Sequence, residues 1–251
     1  MSLMSRWGLA MLFAVFSGIA GGKMMVGSSY KSKPWRVSVV NNCSFNIWPG
    51  VQPRAGYPVL ALGGFSLKPN QIKSFNVTKQ WEGHIWGRTG CNFTQLNACL
   101  TGDCNGKLHC NGTKGKNPLT LVELSFHHNI TTYTVSLLQG FNLPLTITAH
   151  GGEGNCSKAV CRGNILSTCP HIMQVKSVAE EVVACKSACQ ALRTDMYCCA
   201  NQYNSSDACT PSQYAINFKR ACPHAYAFPY DNADLIHTCI HPREIRLIFC
   251  H

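Results

Sequence analysis

Sixteen cysteines in 251 residues constrain this chain more than anything else in it. That density is foreign to an ordinary cytosolic protein, and the number is even, as complete pairing requires. The competing chemistry is metal ligation. Zinc sites usually rest on C-x-x-C pairs, and the chain has none; it has Cys198 and Cys199 adjacent, and gaps such as Cys104 to Cys110. There is no H-E-x-x-H, and His237 and His241 merely flank Cys239 in a segment that reads as loop or strand. The set therefore reads as a disulfide framework, with no metal and no cofactor. Losing one native disulfide from a small secreted domain costs about 2–5 kcal/mol, so a full framework predicts resistance to heat, acid and proteases. Counting alone leaves the pairing open.

The N-terminus agrees with an oxidising compartment. A basic start (Met1 to Arg6) precedes an apolar run, Trp7 to Ala20, and then the small residues Gly21 and Gly22. The run is short of the roughly 20 residues of a membrane span, and fits a signal peptide over 1–20 cut near Ala20. Every cysteine, Cys43 to Cys250, lies beyond that cut. No later stretch is long and apolar enough to span, so no transmembrane segment is expected after cleavage. Residues 21–34 form a loose polar lead-in, and one domain over 35–251 is expected. Seven N-x-S/T sequons follow. Asn76, Asn92, Asn111, Asn129 and Asn204 are the better glycosylation candidates; Asn42 and Asn155 have a cysteine in the middle position.

From Trp35 the pattern is β. Arg36 to Asn41 alternates, Phe45 to Trp48 continues, and Ile72 to Val77 has a clean period of two. Leu119–Phe126 and Tyr133–Leu138 follow, with Gly/Pro/Asn clusters between. Short strands at short intervals predict an antiparallel β-sandwich. The character changes near His150: ten cysteines fall between Cys156 and Cys239, marking a partly helical, disulfide-rich subdomain at about 150–240. Val175, Val178, Ala179, Val182 and Val183 recur at helical spacing with Glu180 and Glu181 opposite, and Cys185 and Cys189 would share that helix face. Thr210-Pro211-Ser212-Gln213 reads as a second helix start, with Thr210 capping and Lys219 and Arg220 in the last turn. Glu244 to Cys250 reads as a strand returning to the core.

These residues carry a resemblance. VVNNC (39–43), WGRTGC (86–91), CLTGDCNGKLHC (99–110), LTLVELSF (119–126), YTVSLLQGFNLP (133–144), YCC (197–199) and FKRACPHAYAFPYD (218–231), with the cysteine spacing, resemble the thaumatin-like proteins of the plant pathogenesis-related type. One departure is Gln95-Leu96-Asn97, where the family usually has glycines. The resemblance implies a mainly β fold: an antiparallel β-sandwich core, a disulfide-rich, partly helical loop domain and a small disulfide-rich loop domain. It also implies the pairing Cys43–Cys250, Cys91–Cys99, Cys104–Cys110, Cys156–Cys239, Cys161–Cys222, Cys169–Cys185, Cys189–Cys198 and Cys199–Cys209. Vacuolar members usually carry a tail past the last cysteine, so the expected location is extracellular, in the apoplast.

In active members, the resemblance implies, a cleft is lined by one arginine and four carboxylates. The matching positions here are Arg88, Glu123, Thr134, Gln139 and Asp231, so two of four acids remain. Such a cleft reads as a polar sugar-binding groove more than as an electrostatic trap, with Thr134 and Gln139 offering hydrogen bonds to hydroxyls. Glu123 and Asp231 are the candidate catalytic pair for glycoside hydrolysis, which needs two carboxyl groups about 5–5.5 Å or about 6.5–9.5 Å apart. The simpler reading makes both of them ion-pair partners of Arg88. Trp48, Tyr57 and Phe65 are candidate sugar-stacking aromatics or packed core. The net charge is +11, with lysines and arginines dispersed and no nucleic-acid motif. That charge suits an anionic wall or membrane surface. The expected protein is a secreted, monomeric defence protein that binds β-glucan-like wall polysaccharide or perturbs pathogen membranes without robust catalysis. Two alternatives are a weak endo-β-1,3-glucanase and an extracellular ligand-binding module without a defence role.

Overall fold

The computed structural model describes residues 34–77, 80–94 and 98–250. The expected signal peptide lies outside them, as do all of the lead-in but Pro34 and the Gln95-Leu96-Asn97 departure.

Twelve strands are formed by the described residues: β1 (Trp35–Asn41), β2 (Ile47–Pro53), β3 (Ile72–Val77), β4 (Trp81–Thr89), β5 (Leu121–His127), β6 (Ile130–Ser136), β7 (Leu145–His150), β8 (Ala159–Cys161), β9 (Gln174–Lys176), β10 (Val182–Cys185), β11 (His237–Ile240) and β12 (Glu244–Phe249). Two five-stranded sheets result, ordered β3-β1-β12-β7-β8 and β11-β6-β5-β4-β2, with β9 and β10 as a separate hairpin. Period-two alternation sends Val37, Val39, Leu145, Ile147, Ile245, Leu247 and Phe249 of the first sheet inward. They join one buried cluster with Ile47, Val51, Trp81, Ile85, Val122, Leu124, Phe126, Tyr133 and Val135 of the second. One pair departs from the antiparallel rule: β1 and β12 are parallel, Val37 beside Ile245 and Val39 beside Leu247.

All sixteen cysteines are paired, in the pairing that the resemblance implies. Cys43–Cys250 ties the ends of β1 and β12 across a separation of 207 residues. The five bridges between Cys156 and Cys239 hold the long excursion containing β9, β10 and the helices α1 (Ala188–Leu192), α2 (Asp195–Cys198) and α3 (Gln213–Ala221).

The helix read over Val175 to Val183 is instead the β9–β10 hairpin. Ser177 decides it: its hydroxyl accepts from the amides of Ala179 and Glu181, and its own amide donates to the Glu181 carbonyl. A serine that offers the backbone local partners favours a turn over a helix, and Glu180 completes the turn at φ +62°. Cys185 then ends β10, bonded to Cys169, while Cys189 lies in α1. Helix α3 begins at Gln213, two residues later than the expected start at Pro211, because the cap is Ser212, whose hydroxyl accepts from the Ala215 amide, and not Thr210.

Candidate functional site

A groove of about 500 Å³ lies on the outer face of the second sheet. Inward residues of β4, β5 and β6 fill the core, so their neighbours in the alternation point outward and fall into two rows across four strands. One row is Gln52, His84, Glu123 and Thr134, each opposite the next in register. The other is Arg54, Glu82, Ser125 and Thr132. Ile236, just before β11, closes one rim.

Arg54 and Glu82 pair at 2.7 Å, and His127 approaches the other Glu82 oxygen at 3.8 Å. Arg54 is exposed and Glu82 half-buried at the surface, so that pair is a weak surface bridge. Among the described residues, neither Glu123 nor His84 has a side-chain hydrogen bond or ion pair with the protein. Thr134 is only 3 % exposed, and its hydroxyl reaches just the Val135 carbonyl at 3.5 Å. The groove thus presents an unneutralised carboxylate between an imidazole and a buried hydroxyl, with amide and hydroxyl groups on either side. Such a surface matches the alternating donors and acceptors of a sugar chain.

The other expected cleft residues sit elsewhere. Arg88 lies on the same strand face as His84 but two outward positions further along, beyond Trp86, and is wholly buried. Its guanidinium donates to the carbonyls of Trp48, Lys107 and Leu108 at 2.7 Å each and lies 3.2 Å from Cys104 Sγ. Burial outweighs the pull of Asp103 and brings its pKa down to about 10. Arg88 therefore clasps the 102–110 loop to β2 and β4, and neither Glu123 nor Asp231 is its ion-pair partner. The residue that stands opposite Glu123 on β4 is His84, not Arg88. Gln139 lies past the end of β6, where its side-chain carbonyl accepts from Asn117; it does not line the groove.

Asp231 is only 7 % exposed at its side chain and fully engaged. One oxygen accepts from the Ala227 amide at 3.0 Å and pairs with Lys219 at 3.2 Å; the other accepts from the Asn232 amide. Tyr226 links it to the groove. Its amide bonds to Val135 at the end of β6. Burial raises its phenol pKa, and the charges of Asp231, Glu123 and Asp234 add to that. Tyr226 thus feels both candidate acids. Of the aromatics, Phe65 is buried core, while Trp48 packs edge-on against Phe93. Tyr57 sits by the groove, edge-on to His127.

Glu82, His84 and Tyr226 were not singled out from the sequence. The first two had a signal: Glu82, His84 and Arg88 alternate along Trp81–Thr89. Tyr226 had none in a single sequence.

The comparisons agree with this architecture. The Thaumatin family model matches residues 41–251. An osmotin-like protein of Solanum lycopersicum is 46 % identical over 222 residues, covering 86 % of this chain and 88 % of that protein. Pathogenesis-related thaumatin-like protein 3.5 of Cryptomeria japonica is 40 % identical over 215 residues, covering 85 % of this chain and 88 % of that one. The solved structure of a laminaripentaose-producing beta-1,3-glucanase in complex with laminaritetraose shares the fold, at TM-score 0.57, 10 % identity, and coverage of 86 % of this chain and 98 % of that one. With the matched span reaching from Asn41, the last residue of β1, past Cys250 and relatives at these identities, the chain belongs to the Thaumatin family.

Proposed function

We propose that this is a secreted plant-type defence protein that binds β-glucan-like wall polysaccharide through the groove on the second sheet and does not hydrolyse it. The observation that carries the reading is the pair of polar rows: Gln52–His84–Glu123–Thr134 and Arg54–Glu82–Ser125–Thr132. Polar side chains with few protein partners, gathered in one groove, are hydrogen-bonding capacity left for a ligand. The eight disulfides fit an oxidising, extracellular setting, and a net charge of +11 favours retention on anionic walls.

Binding is preferred to hydrolysis because of Asp231. Glycoside cleavage needs a second carboxyl group free to act on water or on the sugar, and Asp231 already holds two amides and Lys219. The experiment is a pull-down on insoluble β-1,3-glucan and on chitin, with released reducing sugar measured in parallel. Retention on glucan that Glu123→Gln reduces, without sugar release, is the expected result. Brisk sugar release that Glu123→Gln and Asp231→Asn both abolish would establish the glucanase instead.

A further inference from the structure

Among the described residues, the first sheet has one long edge to which no strand or loop is paired. The two sheets have four edge strands: β3, β8, β11 and β2. β8 is three residues and β11 four, each stapled by a disulfide through Cys161 or Cys239. β2 contains Pro49 and Pro53 and is covered by the 64–67 segment, which bonds to Ile47 and Pro49. Among the described residues, β3 has none of these protections and only the single charge of Lys73 on its edge. Its sequence, Ile-Lys-Ser-Phe-Asn-Val, has high β-propensity, one charge, no proline and no glycine, the composition that makes an exposed edge pair with a second chain. Among the described residues, no backbone group pairs with its free side.

Among the described residues, the outer face beside that edge is partly exposed: Arg36, Ile72, Ser74 and Asn76 are exposed while Ser38 is buried. Ser74, Ser38, Glu244 and Arg246 form a connected polar patch. Ile72, 59 % exposed, begins an apolar row that continues through Val40 and Ile248. On the same face, on β3 itself, stands Asn76, exposed and opposite Arg36. It opens the sequon Asn76-Val77-Thr78.

We propose that Asn76 carries an N-linked oligosaccharide that covers the β3 edge and the adjoining outer face of this sheet. The glycan is the strand's protection against pairing with a second copy of the chain. Neighbouring strands are about 4.8 Å apart and residues rise about 3.3 Å along a strand, so a branched chain of several sugars rooted at Asn76 spans β1 and β12 and reaches Ile72. Its transfer balances simply. Asn76 Nδ2 forms a bond to the anomeric carbon of a lipid-pyrophosphate oligosaccharide, that carbon's bond to phosphate oxygen breaks, the amide nitrogen loses one proton and the lipid pyrophosphate leaves. Nothing is oxidised or reduced.

The test expresses the full 251-residue precursor in plant cells and maps glycopeptides of the secreted protein by mass spectrometry. Asn76 is expected to be occupied; an unmodified Asn76 overturns the proposal by itself, whatever the variants do. Asn76→Gln and, independently, Thr78→Ala should each lose that glycan and aggregate several-fold faster by light scattering, with unchanged circular dichroism. Adding Ile72→Lys to Asn76→Gln should bring the rate back toward wild type, because a charge on the edge replaces the shield. Asn129→Gln, at the β5–β6 turn, should not accelerate aggregation. Wild-type rates in both glycan-free variants, or no rescue by Ile72→Lys, would defeat the edge-shield role.

Discussion

Thr134→Asp tests the geometry of the groove quantitatively. Thr134 stands directly opposite Glu123 on β5–β6, and cross-strand partners have Cβ atoms about 4.5–5.5 Å apart. At about 5 Å and an effective dielectric constant near 20, two carboxylates repel by about 3 kcal/mol. Thr134 is 3 % exposed and no arginine or lysine faces it in its row, so the repulsion is little screened. The pair then retains one proton to a pH about two units above the ordinary carboxylate range. The sign follows from linkage. An acid whose folded pKa lies above its unfolded value binds protons on folding, so the variant loses stability as pH rises and recovers it when the pair is protonated. Guanidinium unfolding with disulfides intact, run from about pH 3 to about pH 8, should show a deficit of about 3 kcal/mol at neutral pH that shrinks below about 1 kcal/mol at the acid end. An equal deficit at both ends would mean that shape, not charge, sets the cost. No deficit at neutral pH would mean that the two side chains do not face each other.

Three further outcomes are expected. Arg88→Ala should lose at least about 3 kcal/mol, since it strands the buried carbonyls of Trp48, Lys107 and Leu108, while folded protein keeps its glucan retention; a stable variant that no longer binds would return Arg88 to the cleft. His237→Phe should flatten the acid side of the stability profile. The His237 ring is buried on Tyr133 with both nitrogens unpartnered, and burial followed by His224 lowers its pKa; a base with depressed folded pKa stabilises above its unfolded value near 6.5 and loses that contribution as pH falls toward the folded one, so parallel wild-type and variant profiles would contradict it. Thiol titration of unfolded, unreduced protein should find essentially no thiol, because all sixteen cysteines are bonded; two or more equivalents would break the framework.

Strands β1, β3, β5 and β12 were legible because each has one face in the core and one outside, which writes a period of two into the residues. β4 was not, for a reason visible in its glycines. A Cβ at Gly83 would strike the Gln52 carbonyl and the Trp81 ring, and one at Gly87 would strike Leu143 and Phe249. Close approach by neighbours replaces side chains there and interrupts the pattern. Missing β4 hid His84 and Glu82, while Arg88 was named through the resemblance, in WGRTGC. Its burial depends on the 102–110 loop folding back over it, a contact that local sequence does not announce. Glu123 was named through the resemblance, in LVELSF, and the alternation of β5 then accounts for its outward place. The hairpin at Ser177 was lost to a valine spacing that fits helix and strand alike, and only the serine's local hydrogen bonds decide between them.

The parallel neighbours β1 and β12 set a timetable for biosynthesis. Their pairing and the Cys43–Cys250 bridge span 207 residues, and synthesis at about 5–20 residues per second leaves β1 waiting about 10–40 s for its partner. Through that interval Val37 and Val39 have no completed sheet to enter, and the Cys43 thiol meets every later cysteine before the correct one emerges. Wrong bridges formed in that window must be undone by thiol–disulfide exchange. A chain stopped short of β12 lacks both the strand that β1 pairs with and the cysteine that Cys43 bonds, so it has no route to a finished core.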